Sequence, residues 1–93
     1  KGLAGDMIEA LQAADEVGLS DWVWDNLTTE IATADESLIR RLVIGTGLHA
    51  KRRLHEMEAS AQLLQDLGVD PVMTRGTVEN LRRVLDQGLP PIP

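Results

Sequence analysis

Between His49 and Glu56 the chain reads His-Ala-Lys-Arg-Arg-Leu-His-Glu, which places His49, Lys51, Arg52, Arg53 and His55 within seven residues. On a helix, His49 sits one turn before both Arg52 and Arg53, and Glu56 sits one turn after both. Glu56 is suited to hold one guanidinium fork by charge-assisted hydrogen bonds. The other arginine and His49 are then free to bind a carboxylate or a phosphate, for which a planar guanidinium is well shaped. The competing reading is a solvated charged face that pairs with acidic segments elsewhere in the chain. His49 and His55 are six residues apart, point to different helix faces, and have no cysteine to assist them, so no metal site is expected. Ser20, Ser37 and Ser60 have ordinary capping or helical roles, and no nucleophile elbow accompanies them.

The element that must present these cations is a helix over 48–67, the longest uninterrupted helical pattern in the chain. Leu54, Met57, Ala61 and Leu64 form its inward stripe, with Ala50 one turn before, and Gly68 ends it. A first helix is expected over 1–17, with Leu3, Met7, Leu11 and Ala14 inward, Asp6, Glu9, Asp15 and Glu16 outward, and Gly18 as its stop. Gly2 and Gly5 cost helix propensity there; either they allow close approach to a neighbour or the end frays. A second helix starts with Ser20 as N-cap and carries Trp22, Val23, Leu27 and Ile31. Trp22 and Trp24 project to different sides of it, so one is expected in the core. The other is an exposed interface anchor or a rim residue.

A short third helix is capped by Asp35 or Ser37, and Gly45-Thr46-Gly47 interrupts the pattern after it. That triplet reads as a helix–helix turn, or less specifically as an anion-cradling loop. Asp70 caps the last helix and Pro71 occupies its first position, with the helix running to Gln87 and Gly88 stopping it. Residues 89–93, Leu-Pro-Pro-Ile-Pro, form an extended tail. No alternating β pattern is present. The expected architecture is all-α: a compact bundle of about five helices in one domain over residues 1–93.

Composition narrows the function classes. There is no Cys, and the net charge is −6. Residues 2–39 hold nine acids and no Lys or Arg, whereas residues 40–93 hold eight Lys/Arg against six acids. A negative total argues against a general nucleic-acid binder. No apolar run approaches the ~20 residues that span a bilayer, and no signal peptide is visible. The expectation is a cytoplasmic protein with neither a membrane nor a nucleic acid as partner. The chain begins at Lys1 inside a helical pattern, which suggests a piece of a longer polypeptide.

The run HAKRRLHEMEASAQLLQDLGVDPVMTRGT resembles the C-terminal helical domain of 6-phosphogluconate dehydrogenase-like NAD-binding oxidoreductases, which belong with the β-hydroxyacid dehydrogenases. The likeness is carried by His49-Ala50, the Arg52-Arg53 pair, Glu56-Met57 and the Leu67-Gly68-Val69-Asp70-Pro71 connection. The opening Lys1-Gly2-Leu3 and the Glu9-Ala10-Leu11 run with Ala13-Ala14 add to it. The resemblance implies a parent enzyme whose N-terminal Rossmann domain, absent here, binds NAD or NADP. It also implies a homodimer, and a small hydroxy acid or similar anion as substrate. The helical domain would supply one wall of the site and much of the dimer contact. His49, Arg52 and Arg53 would bind the anion, with Glu56 in support. The family's catalytic lysine has an asparagine four residues on. From Lys1 that position is Gly5, so Lys1 matches a later lysine, and the resemblance places the catalytic residues upstream. A Lys-Asp pair that borders the active site in related dehydrogenases is replaced here by Arg52-Arg53-Leu54-His55-Glu56. The alternative to this reading is a free-standing helical interaction module without catalytic activity.

Overall fold

Apolar residues at three- and four-residue spacing form four helices: α1 (Gly2–Glu16), α2 (Ser20–Ala32), α3 (Glu36–Asp66) and α4 (Val72–Gln87). They are seen in a computed structural model that describes residues 1–93. The all-α expectation holds, but the helix count is four, not five. The expected third and fourth helices are one 31-residue helix, α3. Gly45, Thr46 and Gly47 are helical within it and neither turn the chain nor cradle an anion.

The glycines give space to neighbours instead. A Cβ on Gly45 would lie 3.2 Å from an Arg53 guanidinium nitrogen, and one on Gly47 would lie 2.6 Å from Leu89 Cδ1. The distortion falls two residues later, at His49, whose φ of −123° and ψ of 23° leave the helical region. Thr46 Oγ1 donates to the Leu42 carbonyl at 2.6 Å, a back-bond of the kind that bends helices.

α3 and α4 pack as an antiparallel pair, and α1 packs on α2 and on α4. The tail after Gln87 has no regular structure and runs back along α3. Leu89 lies against Gly47, and the Pro93 carbonyl accepts from Arg40 Nη2 at 2.7 Å. Few residues are fully buried. They include Ala14 of α1, Ala50 of α3, Val78 and Leu81 of α4, and Val69 and Pro71 of the α3–α4 connection. The core therefore gathers where that connection meets the three helices. The expected inward stripe Leu54, Met57, Ala61 and Leu64 is half-buried. Leu3 is exposed, and α2 buries none of its residues. Trp22 and Trp24 are both exposed, at 63% and 58%, because α2 has a neighbour on one side only.

The radius of gyration is 14.1 Å, against about 12.3 Å expected for a chain of this length. Its accessible surface is 6783 Å², against about 5,300 Å² expected for a monomer of its mass. The difference, roughly 1,500 Å² by that scaling, reflects a chain of two helical hairpins with a small shared core.

Cap chemistry sets the boundaries. Gly18 (φ 72°) and Gly68 (φ 80°) take left-handed C′ positions. After each, the next amide reaches back across the last turn, from Leu19 to the Ala14 carbonyl and from Val69 to that of Leu64, both at 2.9 Å. These are Schellman closures, and the second buries Val69. Asp35 caps α3, its carboxylate accepting from the Ser37 amide at 2.9 Å and the Ser37 hydroxyl at 2.6 Å. Ser20 lies inside α2, with Leu19 as the capping residue. At α4, Pro71 takes the cap position and Val72 is the first helical residue. Asp70 pairs with the Arg75 side chain and does not cap.

Two expected outcomes follow from these caps. Gly68→Ala should lower stability by about 1 kcal/mol in chemical denaturation, since a Cβ is disfavoured in the left-handed region. Gly76→Ala, inside α4 with open space around it, should raise stability by about 0.5–1 kcal/mol. Equal effects at the two positions would contradict this account.

Asp35 supplies a pH dependence. Hydrogen bonds from the Ser37 hydroxyl and from the Ser37 and Leu38 amides hold its carboxyl below the usual aspartate range. A carboxyl depressed on folding stabilises above its unfolded pKa, and that stabilisation is lost as pH falls through the folded value. The Ser37 amide resonance should therefore titrate with a midpoint below that of an ordinary aspartate, and the titration should vanish in Asp35→Asn. A midpoint at or above the ordinary value would refute the cap assignment.

Candidate functional site

The cations of α3 divide at the His49 kink. His49, Lys51, Arg52 and His55 surround a shallow depression of about 480 Å³, with Leu48 on its rim. Arg52 Nε lies 3.5 Å from Glu56 Oε1, one turn on. Both partners are well exposed, so the pair contributes little stability and leaves the outer guanidinium edge open to an anion. Glu56 is thus the ion-pair partner of Arg52. Lys51 and His55 share the depression with His49 and Arg52.

Arg53 does not line that depression. Its Nη1 donates to Thr46 Oγ1 at 2.7 Å, in a half-buried setting, and its guanidinium rests over Gly45. Thr46 passes the interaction on to the Leu42 carbonyl. The three groups form a chain across the kink that ties its two sides together. Of the expected anion binders, His49 and Arg52 come together, and Arg53 acts as a strut behind them. Lys1 is exposed at the start of α1, outside the depression.

The acidic segment does not neutralise this patch. One ion pair joins α3 to α2, Arg41 with Glu30 at 3.9 Å, and it lies on the far side of the kink in sequence. Arg52 finds its partner on its own helix and Arg53 finds a hydroxyl. No group of three His, Cys, Asp or Glu side chains gathers for a metal ion, and no helix is long and apolar enough to cross a membrane.

Sequence reasoning placed Glu9 on the solvent side of the first helix. It is 6% exposed, and its Oε2 accepts the Thr74 amide of α4 at 3.0 Å. Thr74 lies in the first turn of α4, whose amides lack intrahelical partners and attract negative charge. Glu9 thus caps α4 from another helix, in the role expected of Asp70. The available signal was Gly5, one turn before Glu9 on the same face. A Cβ there would lie 3.1 Å from Met73 Cε. The glycine marks the line along which α4 approaches α1.

Against this geometry, residues 14–84 match the model of a family described as a domain of unknown function, DUF1932. The chain belongs to the DUF1932 family. No curated protein and no solved structure matches the chain. The matched span of the DUF1932 domain takes in the end of α1, all of α2 and α3, and most of α4. It contains the kink, the cationic depression and the Arg53 strut, and it starts after Glu9.

The strut predicts energetic coupling. Arg53→Ala and Thr46→Val should each lower stability by about 1 kcal/mol. A double-mutant cycle should give a coupling of about 0.5 kcal/mol or more. Arg52→Ala should stay within about 0.5 kcal/mol of the parent chain. Strictly additive losses at 46 and 53 would remove the strut.

Proposed function

We propose that this chain is the C-terminal, pocket-lining and dimerisation domain of an NAD(P)-dependent oxidoreductase acting on a small hydroxy acid or similar anionic substrate. The observation that carries this reading is the open cationic depression of His49 and Arg52 at the α3 kink, in a chain that is otherwise acidic. It stands within a run that resembles the helical domain of 6-phosphogluconate dehydrogenase-like enzymes. Membership of the DUF1932 family is compatible with that resemblance.

The chain's own residues do not fit a dinucleotide. The four helices include no strand, and no glycine-rich turn joins a strand to a helix where a pyrophosphate would rest. A Rossmann domain of the same polypeptide would hold NAD or NADP, which supplies hydride transfer when bound. This domain would recognise the substrate's anionic group. Arg52 would offer the guanidinium edge that Glu56 leaves free, and His49 would add a ring nitrogen at the point where the helix opens. Charge-assisted hydrogen bonds of this kind orient a carboxylate as well as hold it. Arg53 would act through Thr46 by keeping the kink in place.

The exposed surface supports a domain that is covered in its assembly. The excess over a compact monomer, roughly 1,500 Å² by mass scaling, is of the order buried in a standard interface. A groove of about 340 Å³ between α1 and α2, lined by Met7, Leu11, Trp24, Leu27 and Ile31, is nearly all apolar. The same surface favours the second reading, a helical interaction module with no catalytic partner, in which Trp22 and Trp24 anchor another protein.

The two readings separate on kinetics. In the full-length polypeptide, Arg52→Ala should raise the KM for the anionic substrate about tenfold with the melting temperature nearly unchanged. Unaltered kinetics in Arg52→Ala, measured beside His49→Ala, would sink the anion-site assignment. A full-length chain with no dinucleotide-dependent activity would favour the interaction module.

A further inference from the structure

The groove between α1 and α2 is lined by Met7 and Leu11 on one side and by Trp24, Leu27 and Ile31 on the other. Trp24 and Ile31 are exposed. The one polar lining residue, Thr28, donates its hydroxyl to the Asp25 carbonyl at 3.0 Å, so that hydroxyl is committed within α2. The surroundings carry one sign of charge. Residues 2–32, which make up both helices and their turn, contain no Lys, Arg or His. All their acids except Glu9 are exposed, and among them Glu30 alone has an ion pair. Residues three or four apart share a helix face. Asp15 therefore stands one turn from Leu11, Asp21 one turn from Trp24, and Asp25 one turn from Thr28.

An occupant of this groove must bring an apolar face and meet unpaired carboxylates at its flanks. The fold has no sheet edge for a strand to join. A helix fits instead, because its side-chain ridges seat between two helices as helices seat on one another. We infer that the α1–α2 groove binds an amphipathic helix of another protein, apolar on one face and rich in Lys and Arg along its flanks. Its apolar side chains lie between Leu11 and Trp24, and its cations meet Asp15, Asp21 and Asp25. Those cations neutralise carboxylates that nothing in this chain neutralises, which favours this partner over an acidic or neutral helix. A second copy carries the same net charge of −6, so it is the poorer occupant, and an anionic lipid surface meets the same repulsion. A dimer contact elsewhere on the chain leaves the groove free. The groove shares no lining residue with the depression at His49, and the inference holds whether or not the chain is part of an oxidoreductase.

The test is an NMR titration of the ¹⁵N-labelled chain with a short helical peptide of leucine and lysine at amphipathic spacing. The controls are the same peptide with glutamate for lysine, and a leucine–lysine peptide of scrambled order. The amphipathic peptide should shift the Trp24 indole and the Leu27 and Ile31 amides saturably. The Trp22 indole, on another side of α2, should stay in place. Trp24→Ala, at an exposed position, should weaken binding about tenfold, and Trp22→Ala should leave it unchanged. Asp21→Asn combined with Asp25→Asn should weaken it about fivefold and flatten its salt dependence. Equal affinity for the glutamate peptide or for the scrambled peptide would overturn the inference, as would an unmoved Trp24 indole. Sedimentation equilibrium of the chain alone, showing a dimer that Trp24→Ala dissociates, would also overturn it, because the occupant would then be a second copy.

Discussion

The hydrogen bond from the Thr74 amide to Glu9 holds the two halves of this fold in register. α1 and α2 make one hairpin, α3 and α4 another, and α1 joins them through α4. At that junction Gly5 lets Met73 close on the α1 backbone, and Glu9 caps the first turn of α4. The connection preceding α4 contributes buried Val69 and Pro71 to the same place. Pro71 takes the cap position there and makes no side-chain bond to the helix amides. A side chain from another element must therefore meet the α4 N-terminus, and Glu9 does so from a buried position. Helix start, interhelical packing and core location thus share one contact.

A second constraint shapes α3. A 31-residue helix carrying two glycines and a back-bonded threonine in its middle has a weak point. The chain compensates with side chains: Arg53 reaches back over Gly45 to Thr46, and Leu89 of the tail covers Gly47. The bend is displaced to His49, where it helps to form the depression with Arg52 on its wall. Two adjacent arginines consequently do different work, one internal and one turned outward. The 100° step between neighbours on a helix is enough to send Arg52 toward Glu56 and Arg53 toward Thr46.

Local signals were legible in the sequence. Gly18, Gly68 and Gly88 stop their helices because a residue with positive φ ends a helix wherever it stands. Asp35 caps α3 because an acceptor in extended backbone beside free amides needs nothing distant. Tertiary features were not legible. Gly45-Thr46-Gly47 has the composition of a turn, and its helical state depends on Arg53 and Leu89, which arrive from later in the chain. Glu9 has the composition of a solvent face, and its burial depends on an α4 amide that sequence spacing does not place beside it. Leu3 and Trp22 obey helical apolar periodicity, yet they stay exposed because periodicity states which residues share a face and not whether anything covers that face. At the site, the spacing of His49, Arg52 and Glu56 was informative because one helix carries all three. The diversion of Arg53 was not, because its partner lies across a kink.

The charge segregation has a structural consequence. The acids of α1 and α2 and the cations of α3 are not paired off against each other; Arg41 with Glu30 is the link between α2 and α3. Exposed charges beyond a Debye length, about 8 Å at physiological salt, scarcely feel one another. The α1–α2 groove and the depression at His49 share no lining residue and are separate surfaces. The α1–α2 groove is an apolar channel that includes Trp24, which suits a broad contact with a protein surface. Around His49 and Arg52, cations flank an open depression of about 480 Å³ with Leu48 on its rim, and their charge suits an anion. A single surface doing both jobs would have to place the anion site beneath the protein contact. The two-hairpin fold separates them, so each surface can be tested by substitutions that leave the other intact.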